Sequence, residues 1–177
     1  MRLKSGENRI KIELPSIKGS TFNTETLNGK PYMLSFYRFA SCPFCNLRVN
    51  ELVRRFDEFG NNFNIIAIFD SPIDNLIRHT KDHNAPFHIL ADQKNIYYKE
   101  YGIEHSTIGM FKGMILRMPT LLKGIFKGYI PTVFKGSILT LPADFLIDKN
   151  GIIQEAYYGK DEGDHLHFDT IKEFSLI

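Results

Sequence analysis

Cys42 and Cys45 are the only cysteines in a chain of 177 residues, set in Ser41-Cys42-Pro43-Phe44-Cys45. Two thiols at this spacing, with no others to pair with, point to exchange between a dithiol and a disulfide. The chemistry depends on what surrounds them. Unpaired N–H groups in the first turn of a helix carry roughly +0.5 of an elementary charge and stabilise an anionic sulfur. A thiol there drops from about 8.5 toward the 3.5–7.5 range. Cys42 is then expected at the helix start, exposed and ionised, as the attacking thiolate. Cys45, one turn inside, is the buried resolving thiol that closes the ring and releases product. Pro43 suits the first helical position, where a missing N–H costs nothing. Arg38 and Arg48 are candidates for added positive potential.

The flanking sequence supplies the required turn. Pro31-Tyr32-Met33-Leu34-Ser35-Phe36-Tyr37 is apolar and turn-bounded, which reads as a buried strand. Leu47, Leu52, Val53 and Phe56 recur at helical spacing within 46–59. Ile10–Leu14 and Thr21–Leu27 read as an N-terminal hairpin, Asn64–Phe69 as a second buried strand and Ile73–His83 as a helix behind Pro72. Phe87–Leu90 is a short strand and Lys94–Tyr101 a short helix stopped by Gly102. Ala143–Ile147 and Ile152–Tyr158 flank Asp148-Lys149-Asn150-Gly151, a strong hairpin signal, and Phe168–Phe174 closes as a helix. The expected class is α/β: one domain over 1–177, a mixed central sheet with helices on both faces.

Two other uses of such a pair are metal binding and a structural cross-link. Structural zinc wants four ligands, and no second Cys pair exists, although the alternating His165 and His167 could supply nitrogens. A purely structural disulfide closing so short a ring removes little chain entropy. No metal and no cofactor is expected. The length suffices for a sizeable core, and 15 Phe with 8 Tyr argue for a folded protein. The net charge of +2 selects no partner. The first residues lack a signal peptide's apolar stretch, and no apolar run is long enough to span a membrane. The expected compartment is the cytoplasm, where a dithiol is kept reduced.

The sequence resembles the thioredoxin-like superfamily, in the peroxiredoxin-like branch of the alkyl hydroperoxide reductase/thiol-specific antioxidant (AhpC/TSA) family. The pieces that carry the likeness are Phe36-Tyr37-Arg38-Phe39-Ala40-Ser41-Cys42-Pro43-Phe44-Cys45-Asn46-Leu47, Leu90-Ala91-Asp92 with Tyr101-Gly102-Ile103, and Leu141 through Gly151. The resemblance implies a thioredoxin-like fold and makes Pro142 the cis-proline beside the redox pair. With Leu141 and Pro43 it would shape a platform for a substrate segment or a peroxide. The implied partners are a protein or small-molecule thiol or disulfide, such as thioredoxin or glutathione, with peroxide as a second possible substrate. The chain departs from that pattern at the peroxide-polarising positions. Phe39 and Ser35 stand where a Thr or Ser and a Pro are usual, and Leu141-Pro142 stands where an Arg is usual. Ser41 replaces the Trp of thioredoxins, and the preceding strand offers no buried acid.

Residues 105–140 read as an insertion before the Pro142 strand. They include no Asp or Glu but contain Lys112, Arg117, Lys123, Lys127 and Lys135, which leaves the rest of the chain net negative. Met110, Met114, Met118, Leu121, Leu122 and Ile125 share about 120° of a helical projection. Pro119 should divide the stretch into two helices. The expectation is a Met-rich face packed on the sheet, with membrane-surface or apolar-ligand contact as the functional alternatives. No nucleic-acid-reading motif accompanies the basic residues. The tail around Gly159–His165 resembles the family's ending and could fold back toward the cysteines, which makes His165 a candidate proton donor.

Overall fold

The structure, a computed structural model, describes residues 1–107, 116–130 and 135–177. Its centre is a five-stranded sheet in the order β5-β4-β3-β6-β7, built from β3 (Tyr32–Tyr37), β4 (Asn64–Phe69), β5 (His88–Ala91), β6 (Ala143–Ile147) and β7 (Ile153–Tyr158). β3, β4 and β5 run parallel, while β6 and β7 add antiparallel. The mixed sheet is what βαβ units followed by a hairpin dictate. β3, β4 and β6 are buried almost throughout, as strands covered on both faces must be.

Alternation sends the strand residues to two cores. Met33, Tyr37, Ile65, Ala67, Phe69, Ile89 and Leu146 meet α1 (Pro43–Arg54), α2 (Ile73–Thr80) and the last helix, α5 (Phe168–Ser175). Leu34, Phe36, Ile66, Ile68, Phe145 and Ile147 meet α3 (Ile96–Glu100), Tyr101 and the N-terminal segment. The expected hairpin there is short: β1 (Glu13–Pro15) and β2 (Thr21–Asn23) form a separate two-stranded sheet. It stops because Asn23 caps a 3-10 turn over Thr24–Leu27, and the Thr24 hydroxyl accepts from the Ile12 N–H at 3.1 Å in place of a ladder partner.

The insertion contains α4 (Met118–Phe126), with Pro119 in its first turn as expected. α4 lies on α1, not on the sheet. A Cβ placed on Gly124 would meet Pro43 Cβ at 2.9 Å and Leu47 Cδ1 at 3.3 Å, so only glycine lets the two helices approach this closely. The expected apolar stripe is therefore not the packed face. Leu121 and Gly124 turn inward, whereas Met118, Leu122, Ile125 and Phe126 are exposed. Met110, Met114 and Lys112 lie outside the described residues. The chain returns through Gly136, at φ +127°, close against the Asp70 carbonyl, and the Ser137 N–H donates to Asp70 Oδ2 at 2.7 Å. No helix among the described residues is long and apolar enough to cross a membrane.

Candidate active site

β3 ends at Tyr37 and the chain turns through Arg38–Ser41 into α1, so Cys42 becomes the helix N-cap. Its backbone is extended (φ −64°, ψ 121°), and its Sγ accepts from the Cys45 N–H at 3.5 Å. Pro43 occupies the first turn, as its fixed φ allows. Asn46 locks the turn: its amide donates to the carbonyls of Ala40 and Cys42 at 2.7 and 2.9 Å. Both cysteines are free thiols. The expectation of an exposed Cys42 is not met. Cys42 and Cys45 are each 1% exposed and belong to the core under α1, while α4 packs on the neighbouring Pro43 through Gly124.

Burial separates the two thiols. It opposes ionisation of Cys42, but the hydrogen bond from Cys45, the Arg38 guanidinium and the N–H groups of Cys45 and Phe44 outweigh it and bring the thiol down to about 7. For Cys45, burial and the neighbouring Cys42 both act upward, and its pKa stands well above the ordinary value. Arg38 is itself buried and held by the Ile138 carbonyl at 2.5 Å. Thiolate absorbance near 240 nm is therefore expected to rise with a midpoint near pH 7 for one cysteine only. In Arg38→Gln, which keeps a donor but loses the charge, the midpoint should move up by about one pH unit. An unmoved midpoint would remove Arg38 from the site.

A family model described as the AhpC/TSA family matches residues 6–156, most of the chain. The chain belongs to the AhpC/TSA family. Among solved structures, it is similar to the peroxidoxin BcpB of Mycobacterium tuberculosis at 15% identity and a TM-score of 0.72, covering 98% of this chain and 96% of the other. A thiol peroxidase of Chromobacterium violaceum aligns at 16% identity and a TM-score of 0.67, covering 98% and 86%. A Chlorobium tepidum protein described as the thiol:disulfide interchange protein DsbE aligns at 16% and 0.57, covering 88% and 85%. No curated protein sequence matches significantly. Family membership makes the chain an oxidoreductase of the thiol-dependent kind, on the thioredoxin-like fold its relatives share.

Against the family pattern, Pro142 requires a correction. No peptide bond among the described residues is cis, so the bond before Pro142 is trans. The extended path explains it. Leu141 N–H donates to Glu104 O and the Pro142 carbonyl accepts from Gly159, both at 2.9 Å, so the chain runs straight from the Thr140–His105 bridge into β6. A trans X–Pro bond is favoured by about 0.5–1 kcal/mol unless a turn demands otherwise. Ala143 pairs with Phe36, which brings Pro142 level with Tyr37 at the end of β3 from which the cysteine turn departs. Pro43 faces Gly124 of α4.

Arg48 is not beside the thiols. Its guanidinium donates to Leu166 O at 2.6 Å and stacks 3.9 Å over Phe168. The tail does fold back, and the His165 side chain is buried: its Nδ1 meets Asp144 Oδ2 at 3.0 Å. Asp144 is the buried acid that a reading of β3 alone misses. It lies on β6 opposite Ser35, accepts from the Ser35 hydroxyl, and accepts from the Leu166 N–H at 2.7 Å. The available signal was an acid in the otherwise apolar run Ala143-Asp144-Phe145-Leu146-Ile147. Glu162 is a second missed residue, buried, with a carboxyl pushed up by burial while Arg38 draws it down. Among the described residues no group of three His, Cys, Asp or Glu is arranged to hold a metal. A cavity of about 860 Å³ lies at the far end of the sheet beside Pro31, Asn62 and Phe174.

Proposed function

We propose that this AhpC/TSA protein is a dithiol oxidoreductase that cycles between the Cys42/Cys45 dithiol and their disulfide. The observation that carries the reading is the placement of two adjacent buried thiols at the start of α1, where Cys42 Sγ, at the N-cap, accepts from the Cys45 N–H at 3.5 Å and burial pushes the Cys45 thiol up. Cys42 thiolate attacks a sulfur of the substrate disulfide and releases one half as a thiol. Cys45 then attacks Cys42 Sγ, releases the second half and closes the ring. Arg38 supports the anion, and the strand behind Leu141 and Pro142 forms the wall beside it. A buried Cys42 favours small or extended substrates over the face of a folded partner. Turnover is proposed in the cytoplasm, with a thiol as electron donor.

One observation favours a second reading, thiol-dependent peroxide reduction. The Arg38 guanidinium acts on Cys42 from the turn, where the family's usual arginine position holds Leu141-Pro142. In that reaction Cys42 becomes a sulfenic acid, and Cys45 condenses with it and expels water. Stopped-flow mixing of the reduced protein with hydrogen peroxide and with oxidised glutathione separates the two. We expect the disulfide to consume the thiolate and peroxide to do so below about 10⁴ M⁻¹s⁻¹, the lower end of enzymatic efficiency. Faster loss with peroxide makes the protein a peroxidase.

A further inference from the structure

Beside the cysteine turn lies a cavity of about 360 Å³, walled by α1, by α2 with the turn after it, and by the end of α4. Ser41, the residue before Cys42, and Asn46 belong to its wall. Asn46 joins the cavity to the redox turn, since its amide holds the Ala40 and Cys42 carbonyls while its oxygen meets His83 Nε2 at 2.8 Å. Two cations, Arg78 and Lys127, and one carboxylate, Asp82, also line it. Among the described residues Lys127 donates one long hydrogen bond, to the Asn50 amide oxygen at 3.4 Å, and neither it nor Arg78 forms an ion pair. His79 adds a buried Nε2 without a hydrogen-bond partner.

This volume is at the low end for small-molecule sites, about 300–1,000 Å³. It excludes the surface of a folded protein, and polar walls disfavour an apolar ligand. With Arg78 and Lys127 against the single carboxylate of Asp82, the lining has a surplus cation, which calls for an anion with acceptor atoms. The wall shared with the cysteine turn calls for a group that reaches Cys42. We infer that the cavity docks the carboxylate-bearing part of a low-molecular-weight acidic thiol, the reductant that reopens the Cys42–Cys45 disulfide. This rests on the dithiol cycle proposed above. The docked thiolate bonds to Cys42 Sγ as the Cys42–Cys45 bond breaks, and Cys45 leaves with the electron pair and takes up a proton. A second thiolate attacks the sulfur of the first molecule and frees Cys42. Two thiols are oxidised to one small disulfide, and the protein disulfide is reduced.

The test uses the full chain oxidised with diamide. Its disulfide is reopened by reduced glutathione, which has two carboxylates, or by cysteamine, which has none. The ratio of the two rate constants should fall about tenfold in the Arg78→Ala/Lys127→Ala double variant, the size of two part-exposed charge contacts. In the unaltered protein S-methylglutathione, which cannot exchange, should slow the glutathione reaction by competition. An unchanged ratio, or no competition by S-methylglutathione, overturns the docking site. If dithiothreitol opens the disulfide in those experiments, the dithiol cycle survives that result. If dithiothreitol cannot open it, the cycle falls and takes the docking site with it.

Discussion

Serine at position 42 is expected to lower turnover on the order of 10⁴-fold or more, whereas serine at position 45 should stop the cycle after one bond. The asymmetry follows from the separation of the two thiols. An alcohol at 42 has no anion near neutral pH, and neither the Cys45 N–H nor Arg38 can create one. With Cys42 intact, the attack proceeds, but nothing resolves the mixed disulfide when Cys45 is gone. Intact-mass measurement after incubation with oxidised glutathione checks both arms. Cys45→Ser should carry one glutathione on Cys42, and Cys42→Ser should carry none. An adduct on Cys45 in the Cys42→Ser protein would reverse the assigned roles.

The largest effect on stability is expected at Asp144. Asp144→Ala leaves the Ser35 hydroxyl, the Leu166 N–H and His165 Nδ1 without their acceptor inside the core under α1. Breaking a buried pair from one side costs about 3–5 kcal/mol, a large share of the roughly 5–15 kcal/mol that holds a domain together. Urea unfolding should show the loss, and a change under about 1 kcal/mol would mean that the network relaxes around the gap. The same carboxylate sets the acid limb. Burial pushes Asp144 up, but His165, Arg48 and Ser35 together bring it from 3.8 down to about 2. A folded pKa below the unfolded one gives stability that is complete above about pH 4 and is lost as pH falls through 2. The contribution is on the order of 2 kcal/mol. Asp144→Asn should flatten that limb, and an unaltered acid transition would place the titrating group elsewhere.

The fold was legible where a pattern is local. Asn64–Phe69 and Ala143–Ile147 coincide with β4 and β6, because a short run that is almost wholly apolar between turn residues admits few other structures. The cysteine turn was legible for the same reason, since strand, N-cap and Pro43 are adjacent in sequence. What escaped was the meeting of distant residues. Asp144 serves Ser35 from 109 positions away, and a single acid in a strand does not announce its partner. Met118, Leu122 and Ile125 of the expected apolar stripe lie on α4, but they are not its packed face. Helical periodicity weighs apolar side chains and gives no credit to Gly124, whose missing side chain made the contact with α1.

The hold of the Ile138 carbonyl on Arg38 spans 100 positions. In a partly folded chain that clamp and the first turn of α1 are both unformed, since a helix of this length is marginal alone. The two cysteines then have the chemistry of ordinary thiols. Thiolate reactivity is thus a property of the finished tertiary structure: a misfolded or truncated copy would still carry the C-x-x-C motif but would be a poor catalyst of disulfide scrambling in its neighbours.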